Sequence, residues 1–269
     1  FTEPSAVFDL KAEYAGADIV SLTWTVSNTA SNSYMYRIEV VNGISITNLT
    51  SCVTKTEITE LIPGTLYNFT VFAMTNNGET QGEGVSISLY TKPSAVLDLK
   101  AEYVGVTSVN LTWVVNDTAS SSYTYRIEVV NDTSVRNLTS NLTEVEITEL
   151  IPGTMYNFKV FARPVNNMSE EEGLSISLYT KPSAVFDLKA EYAGADIVSL
   201  TWTVSNTASN SYMYRIEVVN GISITNLTSC VTKTEITKLI PETMYNFTVF
   251  AVANDGQTEG ERLSVSPYT

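Results

Sequence analysis

One stretch of about 89 residues occurs three times in this chain, in unbroken register. Trp24, Trp113 and Trp202 are spaced by that interval, as are Tyr67, Tyr156 and Tyr245. The segments Pro4-Ser5-Ala6-Val7, Pro93-Ser94-Ala95-Val96 and Pro182-Ser183-Ala184-Val185 keep it as well. Solenoid units of roughly 20–50 residues cannot close a core alone, whereas a unit of this length can. The chain therefore reads as three complete small domains: 1–92, 93–181 and 182–269. Function is then expected on surfaces and loops repeated along an array, not in a single deep pocket.

Within each unit the dominant period is two. Val20, Leu22, Trp24 and Val26 alternate with polar residues, and so do Tyr36, Ile38 and Val40. Tyr67, Phe69, Val71 and Ala73 form a third alternating run, and Val85 to Leu89 closes the unit. Alternation of this kind builds antiparallel sheets with one buried face. Asn42-Gly43 supplies a hairpin turn between two such runs, and Asn76-Asn77-Gly78 opens a polar loop. About seven short strands per unit predict an all-β sandwich. No amphipathic helix and no run of about 18 apolar residues is present.

Net charge is −14 and evenly shared: −4 over residues 4–92, −5 over 93–181 and −4 over 182–269, with Glu3 supplying the rest. Phosphate binding needs clustered Lys and Arg, so no nucleic-acid partner is expected. The chain has no His and no phosphate-cradling glycine loop, and neither its hydroxyls nor its thiols sit in a nucleophile's setting. It reads as non-catalytic, with no cofactor and no metal. Glu170-Glu171-Glu172 lacks the spaced ligands of a calcium loop and reads as a solvated acidic run.

The segment Leu61-Ile62-Pro63-Gly64-Thr65-Leu66-Tyr67 recurs at Leu150–Tyr156 and Leu239–Tyr245. Together with the Leu-x-Trp and Tyr-x-Ile-x-Val strands, it resembles the fibronectin type III domain. That resemblance implies an immunoglobulin-like sandwich in which the motif's tyrosine forms a corner, its hydroxyl bonding back to the chain just upstream. The array is then expected to be an extended rod. Its short junctions, Thr91-Lys92-Pro93 and Thr180-Lys181-Pro182, are stiffened by proline. Gly64 and Gly153 become Glu242 in the third unit. If the turn needs a positive φ there, the third domain is the least stable.

The junction phrase Tyr-Thr-Lys-Pro-Ser-Ala-Val and the Tyr-Asn-Phe-Thr-Val-Phe-Ala strand are similar to ectodomain repeats of receptor-type protein tyrosine phosphatases of the eta (density-enhanced) type. This implies a parent with a membrane span and a cytoplasmic phosphatase domain, neither of which is in this chain. The implied location is the extracellular face of the plasma membrane. The implied role is to bind an extracellular protein, a matrix ligand or a second copy, and so to control receptor position and clustering. The alternative is a structural matrix or adhesion protein in which the rod itself is the function; the lack of an Arg-Gly-Asp tripeptide counts against it.

Ten glycosylation sequons fit that location: Asn48, Asn68, Asn110, Asn116, Asn131, Asn137, Asn141, Asn167, Asn226 and Asn246. Cys52 and Cys230 occupy equivalent positions in the first and third units, where the second has Asn141. A glycan-accepting position is exposed, so both thiols are expected at the surface, unpaired or in an intermolecular disulfide. In the second unit Lys159 replaces the Thr that would complete a sequon at Asn157. The face carrying Arg126, Glu128, Lys159, Phe161 and Arg163 is thus the expected partner contact. Units one and three differ at only three positions from Pro4–Ala73 to Pro182–Ala251: Glu60 to Lys238, Gly64 to Glu242 and Leu66 to Met244. A ligand surface on one should therefore recur on the other, roughly 60–80 Å along the array.

Overall fold

The computed structural model describes residues 3–16, 18–27, 34–115, 123–165, 170, 172–205 and 212–269. Among these residues each unit folds as seven strands. Repeat one contains β1 (Phe8–Tyr14), β2 (Val20–Thr25), β3 (Tyr34–Val41), β4 (Ile46–Ser51), β5 (Lys55–Ile58), β6 (Leu66–Thr75) and β7 (Val85–Tyr90). Repeat two contains β8 (Val96–Tyr103), β9 (Val109–Val115), β10 (Tyr123–Val130), β11 (Val135–Ser140), β12 (Glu144–Ile147), β13 (Met155–Pro164) and β14 (Leu174–Tyr179). Repeat three contains β15 (Val185–Gly194), β16 (Ile197–Val204), β17 (Met213–Val219), β18 (Ile224–Ser229), β19 (Lys233–Ile236), β20 (Asn246–Val252) and β21 (Leu263–Val265).

In every repeat a three-stranded sheet faces a four-stranded one. Their orders in repeat one are β1-β2-β5 and β4-β3-β6-β7, and the other repeats follow the same plan. All pairings are antiparallel among the described residues. The first strand of each repeat slips register against the second, at Phe8/Lys11, Leu97/Lys100 and Phe186/Lys189. Asp9, Asp98 and Asp187 take φ near +50° at those bulges, a conformation that Asp tolerates better than bulkier residues.

The alternating residues fill the space between the sheets. Leu22, Ile38, Phe69 and Val71 are fully buried, as are their counterparts in the other repeats. Burying each such side chain contributes about 1.5–3 kcal/mol. Trp24 meets Tyr36 edge-on, with ring centroids 5.2 Å apart and planes at 66°. The pairs Trp113–Tyr125 and Trp202–Tyr214 repeat that contact. The tyrosine corner forms three times: the Ile62, Ile151 and Ile240 amides donate to the hydroxyls of Tyr67, Tyr156 and Tyr245, each at 3.0 Å. This bond satisfies a backbone N–H that the turn would otherwise leave without a strand partner.

The glycine after Pro63 serves two purposes. Gly64 and Gly153 have φ of +63° and +62°, and Glu242 is held at +55°. The left-handed conformation is thus kept even where a side chain is present. The second purpose is packing between repeats. A Cβ on Gly64 would collide with the ring of Tyr123, and one on Gly153 with the ring of Tyr212. Both tyrosines are buried, and their hydroxyls accept hydrogen bonds from the amides of Ser94 and Ser183, each at 3.2 Å. Each junction is therefore a tyrosine of one repeat seated on the bare turn of the repeat before it.

Two outcomes test this account. Glu242→Gly should stabilise repeat three by about 1 kcal/mol, read as slower native-state hydrogen exchange at Phe247 and Val249. Unchanged exchange would show that the left-handed turn carries no strain. Tyr156→Phe leaves the Ile151 amide without its acceptor and should cost about 1–3 kcal/mol, measured by denaturant unfolding.

Candidate partner-contact face

The outer face of the four-stranded sheet in repeat two brings the five expected contact residues together. Arg126 and Glu128 lie on β10; Lys159, Phe161 and Arg163 lie on β13. Register places Arg126 directly opposite Phe161, and Glu128 opposite Lys159. Period-two alternation turns these residues outward because Ile127, Phe158 and Val160 between them point into the core.

Their chemistry is mutual. The Arg126 guanidinium lies 3.8 Å from the centroid of the Phe161 ring, and the Lys159 ammonium lies 5.0 Å from it. The ring is covered by cations rather than offered bare to solvent. Arg126 also donates to Glu128 at 3.1 Å, to Asn137 at 2.9 Å and to Glu170 at 2.8 and 2.9 Å. Arg163 donates to the same Glu170 carboxylate. Hydrogen bonding to Arg126 holds the Glu170 carboxyl below its ordinary range, against the opposing effect of burial.

Glu170 was not legible as part of this face. In sequence it reads as one of three solvated acids, and only the fold brings it to two arginines 44 and 7 residues away. Glu171 lies outside the described residues, as does most of its loop. Among the described residues no group of three or more His, Cys, Asp and Glu gathers to hold a metal ion. The same post recurs with different chemistry: Gln81 accepts from Arg37 at 2.9 Å, and Glu259 from Arg215 at 2.8 Å. In repeat three Arg262 lies 4.1 Å over the Phe250 ring and bridges Glu217 and Glu259, and Phe250 is buried.

The sequons fall differently from a simple contrast of bare and glycosylated repeats. Asn157 is exposed and completes no sequon, yet Asn137 sits opposite Glu128 on the same face. Antiparallel pairing of β11 with β10 puts it there, a relation invisible from spacing alone. Asn48 and Asn226 take the same place opposite Glu39 and Glu217. Asn48, Asn137, Asn141 and Asn226 are exposed, while Asn68, Asn110, Asn131 and Asn246 are half-buried. Asn116 and Asn167 lie outside the described residues. Cys52 and Cys230 are both exposed free thiols.

The fibronectin type III domain matches residues 4–88, 92–176 and 182–266. The chain belongs to the fibronectin type III family. It is 66% identical over all 269 residues to chicken receptor-type tyrosine-protein phosphatase eta, spanning 19% of that relative. The human receptor-type tyrosine-protein phosphatase eta is 30% identical over 94% of the chain, which again spans 19% of it. The chain thus covers about a fifth of the length of these relatives. Chicken tenascin is 23% identical over 87% of the chain. A two-domain fibronectin type III segment from chicken tenascin superposes with a TM-score of 0.51 at 20% identity, covering 65% of this chain and 99% of that one, which supports the fold alone. The segment is homologous to the fibronectin repeats of receptor-type phosphatases and consists of those non-catalytic domains.

The carboxylate at the centre of the face gives a pH expectation. Because the folded pKa of Glu170 is depressed, its stabilisation is complete above the ordinary carboxylate range and is lost as pH falls through the lower folded value. Glu170→Gln should remove that acid-dependent part and cost about 1 kcal/mol near neutrality. Repeat one already has Gln81 at this post, so its acid sensitivity should not share this component. Denaturant unfolding as a function of pH, followed repeat by repeat by hydrogen exchange, checks both.

Proposed function

We propose that this segment is an extracellular ligand-contact and spacer portion of a receptor-type tyrosine phosphatase, acting outside the cell to govern where the receptor sits and whether it clusters. The observation that carries this reading is identity of 66% along the entire chain to the phosphatase eta of chicken. Tyrosines locked onto the preceding turns at both junctions support a stiff array that holds binding surfaces at fixed intervals. Anchorage at the plasma membrane through another part of the parent belongs to the same proposal, as do glycans on the exposed sequons. The contact face proposed for a protein or matrix partner is Arg126, Glu128, Lys159, Phe161 and Arg163 of repeat two. Lys159 marks that face, since Thr70 and Thr248 replace it in the other repeats.

The second reading, a structural matrix or adhesion protein, is favoured by the relation to tenascin but at far lower identity. The parent sequence separates the two readings, since a membrane span followed by a His-Cys-x5-Arg motif belongs to the first alone; the clustering part of the first is tested in solution. Sedimentation velocity of the glycosylated chain over a concentration series, with and without reductant, distinguishes a monomer from a homophilic dimer. Loss of a dimer on reduction would assign its contact to Cys52 or Cys230.

Binding to ligand-bearing cell surfaces gives the direct check. The double variant Lys159→Glu with Phe161→Asp should lower binding at least tenfold while the hydrogen exchange of repeats one and three stays unchanged. Wild-type binding by that variant would remove this face from the proposal.

A further inference from the structure

Each repeat carries a groove between the free edge of its four-stranded sheet and that of its three-stranded sheet. In repeat one the groove has a volume of about 440 Å³ and is lined by Asn42, Thr47, Glu57, Thr59, Glu60 and neighbouring apolar residues. In repeat three the equivalent groove is about 430 Å³, and in repeat two it shrinks to about 140 Å³. One substitution accounts for the contrast. Thr47 and Thr225 line the open grooves, and the corresponding residue of repeat two is Arg136.

Arg136 shows what this groove accepts. Its guanidinium donates to the backbone carbonyl of Thr148 at 2.8 Å and lies 3.8 Å from the Glu149 carboxylate. Repeat one presents the same two acceptors, the Thr59 carbonyl and the Glu60 carboxylate. Glu60 takes φ of +59° and Glu149 of +60°, so the backbone that aims them is the same. Glu57 adds a second carboxylate, and the lining of this groove includes no Lys or Arg. In repeat three Lys238, at φ of +60°, replaces Glu60 and puts a cation in place of the carboxylate that would accept a guanidinium.

We propose that the repeat-one groove is a binding site for an arginine side chain presented by an extended segment of a partner protein. Repeat two holds the same site closed with its own Arg136, and repeat three carries it with the charge reversed. The guanidinium suits it better than an ammonium, because a planar fork can bond the carbonyl and the carboxylate together. A single such contact on an exposed rim binds at about millimolar strength, so selectivity comes from charge and useful affinity from additional contacts along the array. This surface is separate from the Lys159 face, and the two stand or fall independently.

The test uses the whole chain and acetyl-Val-Arg-Asn-Leu-amide, the sequence of residues 135–138 around the Arg136 side chain that closes the groove in repeat two. Titration followed by ¹H–¹⁵N NMR should give saturable shifts at the amides of Thr59 and Glu60, and weaker or no shifts with citrulline in place of arginine. Thr47→Arg should fill the groove from within and abolish the shifts, and Glu60→Lys should weaken binding at least tenfold. Lys238→Glu should add a second set of shifts in repeat three. All three positions are exposed or on the groove rim, and spectra away from the groove report that the fold is intact. Equal binding of the citrulline peptide, persistence of the shifts in Thr47→Arg, or no saturable shifts with the arginine peptide would each overturn the proposal.

Discussion

Two sheets must bury one face each against the other, and in every repeat they close around a single tryptophan. Trp24, Trp113 and Trp202 each meet a buried tyrosine of the opposing sheet edge-on, and the period-two strands place their apolar residues around that contact. Once the inner faces are committed to packing, only the outer faces, the free edges and the loops remain to differ. The three repeats do differ there: in the residue opposite Glu128, in the post beside the outer arginine, and in the residue that fills or leaves open the edge groove.

Near-identity of repeats one and three gives those differences meaning. Across seventy aligned positions only three change, and two of them sit where the structure has consequences. Glu60 against Lys238 reverses the charge of the groove. Gly64 against Glu242 changes a turn that, in the earlier repeats, receives the tyrosine of the next. Neither change touches the core, where substitution would cost cavities or overpacking. A divergent repeat between two near-copies also lowers the risk of strand exchange during folding.

The outer face of repeat two illustrates how electrostatics and packing combine at a surface. Arg126 covers an aromatic ring and is held by two carboxylates and an amide, and Glu170 is shared by two arginines. A side chain held by several partners loses less freedom for each bond made, which favours a network over an isolated exposed pair. Such a face is ordered before any partner arrives, so binding it would require little further ordering.

Strand identity and inward residues were legible in the chain because alternation and turn chemistry act over a few residues; the tyrosine corner was implied by the motif's resemblance to the fibronectin type III domain, and the positive φ at position 242 was a condition that the structure meets. The outward grouping of Arg126 with Phe161 was legible for the same reason, since parity along a strand decides its face. The place of Glu170, the sequon of Asn137 on the outer face of repeat two, the seat of Tyr123 on Gly64 and the filling of a groove by Arg136 were decided only by tertiary structure. Each depends on which strand lies beside which, or on which loop returns to which edge, and residues tens of positions apart carry no local signal of that meeting.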